Sequence, residues 1–271
     1  MPELPEVETT RRGIAPYVEG KQFAGVSIRH HQLRWPIPTE LPTLLSKRKV
    51  IGLERRGKYL LFRFSHGHLI VHLGMSGSLR ICPLSTPAQK HDHVDFILTG
   101  KQCLRFHDPR RFGAILWTDE PIAEHRLLNH LGPEPLTEDF NAELLFKRSR
   151  KRSKDIKAFI MDSRIVVGVG NIYANEALFS AGIRPTKAAG KITKKQSALL
   201  VEEIKQVLQR SITQGGTTLR DFVGGDGKPG YFVQQLNVYG RSAEPCKRCN
   251  SLLKEIRQAG RSSVYCPSCQ S

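Results

Sequence analysis

The chain has 271 residues, enough for two domains that each bury a core, and 39% of them are hydrophobic, too many for a disordered basic tail. Its 42 Lys and Arg against 25 Asp and Glu leave a formal net charge of +17, an excess that suits a polyanionic partner rather than a neutral metabolite. No apolar run approaches the roughly 18 residues of a membrane span. The acidic opening Met1-Pro2-Glu3-Leu4-Pro5-Glu6-Val7-Glu8 lacks the apolar stretch of a secretion signal, so a cytoplasmic location is expected. Basic residues outnumber acidic ones 19 to 12 before Gly132 and 23 to 13 after it, so a polyanion is expected to touch both halves.

In chain order, Glu3 to Arg12 reads as a helix with acids in its first turn. Lys21 to Trp117 is mostly β in texture. Phe23 to Ile28 alternates, and Tyr59 to Phe64, His68 to Leu73, Val94 to Leu98 and Ala114 to Trp117 are short apolar runs between turn-rich breaks. A β-sandwich or flattened barrel with one leading helix is predicted. Leu131-Gly132-Pro133-Glu134-Pro135 is a rigid break, taken as the domain boundary. Beyond it Asp139 to Arg148, Asp155 to Met161, Asn171 to Ala181 and Thr193 to Gln214 read as helices, the last with a Thr193/Gln196 capping box. Lys147 to Lys157 carries seven basic residues against Asp155, and Gly215 to Gly230 holds six glycines, expected to form a mobile loop.

Four of the six cysteines crowd the end of the chain. Cys246-x2-Cys249 and Cys266-x2-Cys269, sixteen residues apart, are spaced as four ligands of one tetrahedral, structural Zn²⁺. Two disulfides are the alternative. The residues between the pairs suit a hairpin with Ala259-Gly260 near its tip. On it Arg261 is either solvated charge or a finger residue that reaches a nucleic-acid groove or phosphate. Gly168-Val169-Gly170 precedes a helix that Asn171 can cap. Free amides at such a start bind phosphate, although a tight turn between helices uses the same glycines. Removal of Met1 would leave Pro2 with a secondary amine, nucleophilic at neutral pH, and Glu3 beside it to move protons. Most Met-Pro starts are inert, and Glu3 alone reads more readily as a first-turn acid.

Pro2-Glu3-Leu4-Pro5-Glu6-Val7-Glu8 resembles the amino terminus of the formamidopyrimidine-DNA glycosylase family. The likeness continues through Arg55 to Leu60, His72 to Gly77, Lys90 to His93, Asp108 to Gly113, Gly168 to Tyr173 and the cysteine tail, covering essentially the whole chain. Leu4 favours this family over its sister, endonuclease VIII. The resemblance implies an α+β multidomain fold: a β-sandwich domain over 1–132, a linker and first helix over 133–150, a helix–two-turn–helix domain over 151–240, and a zinc finger over 241–271. It implies a base-excision-repair glycosylase and AP lyase that everts and excises an oxidised purine, then cleaves the strand by β,δ-elimination.

Roles carry over residue by residue. Pro2 matches the Schiff-base nucleophile, Glu3 the proton donor of the glycosylase step, Lys58 the proton donor of β-elimination and Arg261 the arginine of the δ step. Met75, Arg110 and Phe112 match the side chains that fill the void left by the everted base. His91, Arg110 and Arg152 match DNA-binding positions, and Lys157 and Asn171 are expected to add phosphate contacts. Glu6 and Glu176 match carboxylates near the catalytic amine. Residues 217–239 correspond to the loop that closes over the purine. On their own, Met75 and Phe112 read as core, His91 as a structural histidine, Lys58 as a lysine opening a strand, and Arg152 as part of a solvated helix face. The implied partner is duplex DNA containing an oxidised purine or abasic site. The protein is expected to be a bacterial cytoplasmic monomer, away from membranes and nucleoid-associated when bound to DNA.

Overall fold

The computed structural model describes residues 2–216 and 236–271. They divide into two compact units: one runs to Asn129 and resumes at Gln214, and the other combines His130–Thr213 with the C-terminal segment to Ser271.

Helix α1 (Leu4–Val18) opens the first unit. Pro5 sits in its first turn, where a missing N–H costs nothing, and Glu3 and Glu6 close a capping box. The helix outruns the expected end at Arg12 because Ile14 and Val18, both fully buried, tie its last turns to the core past Pro16. Then come β1 (Phe23–Ile28), α2 (Leu41–Leu45), β2 (Gly52–Arg56), β3 (Tyr59–Phe64), β4 (Gly67–His72), β5 (Ser78–Pro83), β6 (Asp92–Leu98), β7 (Gln102–His107) and β8 (Ala114–Thr118). They form two four-stranded antiparallel sheets, ordered β1-β6-β7-β5 and β2-β3-β4-β8. Phe23, packed against Phe96 of its own sheet, meets Phe62 and Phe64 of the other, and Val7, Ile14 and Val18 of α1 join the same core. This is the expected sandwich with a leading helix.

Strands β2, β5 and β7 were not legible as apolar runs because charge interrupts them. In β7, Leu104 and Phe106 face the aromatic core and Arg105 points to the opposite face, yet it is only 1% exposed. Its Nε and Nη2 donate to Asp95 at 2.7 and 2.8 Å, and Nη1 donates to the Thr86 and Pro87 carbonyls. Asp92 beside it accepts from Arg80, at 2.9 Å, and from His107 Nδ1, at 2.8 Å. The register of β6 against β7 shifts between Asp92 and Val94, which leaves His93 as the extra residue of a bulge.

The second unit contains α3 (Ala142–Ser149), α4 (Ile156–Ile160), α5 (Asn171–Ser180), a 3₁₀ turn at Ala189–Lys191, α6 (Lys194–Thr213) and the hairpin β9 (Lys254–Gln258) and β10 (Arg261–Tyr265). Helix α3 begins at Ala142 rather than Asp139 because Asn141 caps it, accepting from Leu144 N–H. The Thr193/Gln196 box caps α6 as expected. Ile172 to Phe179 are all buried, so α5 is the central helix of this unit, with α6 against it. The hairpin shares its core with α5: Phe179, Val238, Leu253 and Val264 cluster with Cys246 and Cys266. No helix among the described residues is long and apolar enough to cross a membrane.

Replacing Arg105 with Ala would leave Asp95 buried without its main partner. We predict a loss of about 3–5 kcal/mol in urea unfolding. A loss below about 1 kcal/mol would show that water reaches this ion layer in the folded protein.

Candidate active site and nucleic-acid interface

The capping box fixes the amino terminus. Pro2 and Glu3 are buried. Glu3 N–H donates to Glu6 Oε2 at 2.8 Å, and the Glu3 side chain accepts in return from the Glu6 backbone. The Glu3 carboxylate therefore sits at a helix start, where the dipole favours negative charge, directly after Pro2.

Lys58 does not open a strand: Arg56 pairs with Tyr59, so Gly57 and Lys58 form the two-residue turn of the β2–β3 hairpin. Close to it lies His72, which no sequence motif singles out for a role. Its ring packs 4.8 Å from Tyr59, its cross-strand neighbour. Burial, then the Lys58 and Arg34 charges, push the imidazole down to about 4. Gly74 N–H donates to His72 Nδ1 at 3.0 Å, which selects the neutral tautomer with its proton on Nε2.

The turns holding Met75 and Arg110–Phe112 lie back to back. Gly74 has φ +65°, and a Cβ there would meet Phe112 C and Gly113 N at 2.4 Å, so only glycine fits. Asp108, fully buried, joins the turns: it accepts from Ser76 Oγ at 2.9 Å and from Gly113 N–H at 2.8 Å. Ser76 Oγ in turn accepts from Arg110 N–H at 3.3 Å. Met75 is 37% exposed and Phe112 45%, with the Arg110 guanidinium 4.9 Å over the Phe112 ring. Two large apolar side chains are thus held outside the core on a braced platform. His91 lies near it, its carbonyl accepting from Asp108 N–H and its ring against His93 and His107.

In the second unit, Gly170 rather than Asn171 caps α5; Asn171 is the first helical residue, so its side chain does not cap. Asn171 Oδ1 is buried without a hydrogen-bond partner among the described residues. Lys157 is engaged within the unit. It is 2% exposed, and its Nζ donates to Ser262 O and Ser263 Oγ, both at 2.6 Å, so its ammonium braces the hairpin instead of facing a phosphate in solvent. Exposed Arg261 opens β10 after the Ala259-Gly260 turn and shares with Lys154 and Lys157 a cavity of about 170 Å³. Arg152 lies elsewhere, in a basic groove with Lys147, Arg148 and Lys151.

Glu176 accepts four hydrogen bonds, from the backbone N–H groups of Asn237, Val238 and Tyr239 and from Asn237 Nδ2, at 2.8 to 3.0 Å. Its carboxylate is a clamp on 237–239. Most of the expected purine-closing loop, 217–235, and much of the glycine-rich 215–230 stretch lie outside the described residues. Its last residues do not belong to an open loop, since Leu236 and Val238 are buried.

The ligand sulfur atoms of Cys246, Cys249, Cys266 and Cys269 all lie within 4.8 Å of one another. Individual Sγ separations are 3.4 to 4.0 Å. A Zn–S length of about 2.3 Å in a tetrahedron requires about 3.8 Å between sulfurs, so the set fits one Zn²⁺ with no position left open. Backbone N–H groups of Arg248 and Cys269 donate to Cys246 and Cys266, as suits thiolate ligands.

Family models match in the same order: the formamidopyrimidine-DNA glycosylase N-terminal domain over residues 1–115, its H2TH domain over 131–223, and the zinc finger found in FPG and IleRS over 243–271. Formamidopyrimidine-DNA glycosylase of Saccharophagus degradans is 60% identical over 270 residues, covering all of both chains. The chain belongs to the formamidopyrimidine-DNA glycosylase family. The Pseudomonas aeruginosa member is also 60% identical over the full length of both chains. A Lactococcus lactis member in complex with a Fapy-dG containing DNA matches with TM-score 0.92 at 34% identity, covering all of both chains. The Thermus thermophilus member matches with TM-score 0.88 at 36% identity, covering 99% of this chain and 98% of that one. The four cysteines are its zinc site.

Two measurements check this geometry. By NMR, the His72 ring should stay neutral well below pH 6, its protonation displaced below the usual imidazole range; a midpoint near 6.5 would contradict the burial that lowers it. Cys266→Ser should abolish stoichiometric zinc and, because the hairpin and α5 share a core, lower the thermal midpoint of the second unit. Full zinc content in that variant would remove the metal assignment.

Proposed function

We propose that this chain uses Pro2 as the nucleophile of a DNA glycosylase and AP lyase acting in base excision repair on oxidised purines such as 8-oxoguanine and formamidopyrimidines. The observation that carries the reading is the buried, cap-locked carboxylate of Glu3 next to Pro2. Simple duplex binding requires neither residue.

With Met1 removed, the Pro2 nitrogen attacks C1′ as the C1′–N9 bond breaks and the base departs. Glu3 protonates the ring oxygen O4′, opening the sugar to an iminium. The iminium draws electrons toward C1′, so loss of a C2′ proton expels the 3′-phosphate, with Lys58 supplying a proton in this β-elimination. A second elimination, assigned to Arg261, expels the 5′-phosphate. Neutral His72 beside Lys58 adds no positive charge that would oppose protonation of the lysine. Met75, Arg110 and Phe112 fill the space of the everted base from their braced turns, and Arg110 hydrogen-bonds the orphaned partner. His91, Arg152 and Asn171 contact the backbone, and Lys157 serves by holding the hairpin that carries Arg261. Zn²⁺ is structural and takes no part in a step. The partner is duplex DNA carrying an oxidised purine or an abasic site, and the protein acts as a cytoplasmic monomer bound to the nucleoid.

Borohydride trapping on a duplex with 8-oxoguanine opposite cytosine, followed by mass mapping, should place the adduct on Pro2. Glu3→Gln should lower excision by about 10²–10⁴-fold, while Kd for an abasic-site analogue changes little. An adduct on Lys58, or no adduct from protein shown to lack Met1, would sink the assignment.

A further inference from the structure

Apart from the zinc ligands, the chain holds a second pair of thiols. Cys82 on β5 and Cys103 on β7 are direct cross-strand partners, with Sγ atoms 3.4 Å apart. Cα atoms of such partners stand about 4.5–5.5 Å apart, inside the roughly 4.4–6.8 Å that a disulfide spans. Closing the bond therefore needs side-chain rotation and no change of register. The pair lies on the same face as Arg80 and Arg105, away from the aromatic core to which the adjacent Leu104 belongs. The two sulfurs differ in access: Cys82 is half-buried on the edge strand β5, and Cys103 is fully buried.

We propose that Cys82 and Cys103 form an oxidation site that closes to a disulfide when hydrogen peroxide reaches Cys82, independently of the zinc thiolates. The Cys82 sulfur attacks one peroxide oxygen and the O–O bond breaks, giving a sulfenic acid and water. The Cys103 sulfur then attacks Cys82, and the hydroxyl leaves with the Cys103 proton as a second water. The two thiols lose two electrons and two protons, and one hydrogen peroxide becomes two waters. Burial, the neighbouring Cys82 and the Asp95 charge push the Cys103 thiol up to about 12, so it waits as the resolving thiol while the accessible sulfur is oxidised first. The bond joins the strand that starts just after the Met75 turn to the strand that ends just before Asp108. It also closes the segment that carries His91.

The test uses the full-length, zinc-loaded protein. It is treated with graded hydrogen peroxide, alkylated, digested without reduction and mapped by mass, while a chromogenic chelator follows zinc release. The expected result is a Cys82–Cys103 linked peptide at doses that release no zinc, reversed by dithiothreitol and absent from Cys82→Ala. Oxidised protein should also unfold at a higher temperature than reduced protein, with no such rise in Cys82→Ala, because the bond closes a loop in the unfolded chain. Overoxidised Cys82 beside a Cys103 that still alkylates would overturn the proposal. So would linkage only after zinc loss, or pairing of either cysteine with a finger cysteine.

Discussion

The buried carboxylate of Asp108 is the constraint on which the platform at this end of the sandwich depends. The chain crosses from one sheet to the other twice here, from β4 to β5 through Gly74–Gly77 and from β7 to β8 through Asp108–Gly113. Because β4 pairs with β8 and β5 with β7, the crossings must run side by side. Asp108 satisfies a hydroxyl from one and an amide from the other, and its carbonyl accepts from His93 Nε2 at 2.8 Å. A buried acceptor with fixed donors is costly to disturb. The two turns therefore move as one piece, and the exposed Met75 and Phe112 are carried on a rigid support rather than on independent loops.

Not all of the 42 basic residues are available to a polyanion. Arg105 neutralises Asp95 inside the ion layer, Lys157 is enclosed by the hairpin, and Arg150 bonds the Ile192 carbonyl while its guanidinium lies 3.9 Å over the Phe146 ring. Three residues that sequence alone counts toward a DNA footprint thus hold the fold together. Arg152, Arg261 and Arg110, by contrast, are exposed, as are Lys47, Arg48 and Lys49.

What could be read without the structure follows a simple rule. Apolar runs with clear breaks, such as Tyr59 to Phe64, and capping signals, such as Thr193 with Gln196, act locally, so their positions were legible. Strand β7 is not, because Arg105 belongs in a strand only when Asp95 from β6 is beside it, a pairing no local pattern contains. The cysteine spacing was legible because four ligands around one ion leave little choice. The packing roles of Glu176 and Lys157 are not legible for the opposite reason. Each is a charged side chain on a helix, and only its distant partners, at 237–239 and 262–263, show that it is a brace. His72 was overlooked because its character comes from burial near Lys58, which the sequence places fourteen residues away.

The zinc hairpin has no private core. Val264 N–H is held by Asn175 of α5, Lys157 of α4 reaches Ser262 and Ser263, and Phe179 shares a cluster with two of the four ligands. Metal affinity and helix stability are therefore two readings of one free energy. A substitution deep in α5, touching no cysteine, raises the free zinc concentration needed to keep the ion bound. Conversely, scarce zinc softens the helical unit from its centre, so this protein's sensitivity to metal supply is set as much by aliphatic packing as by its thiolates.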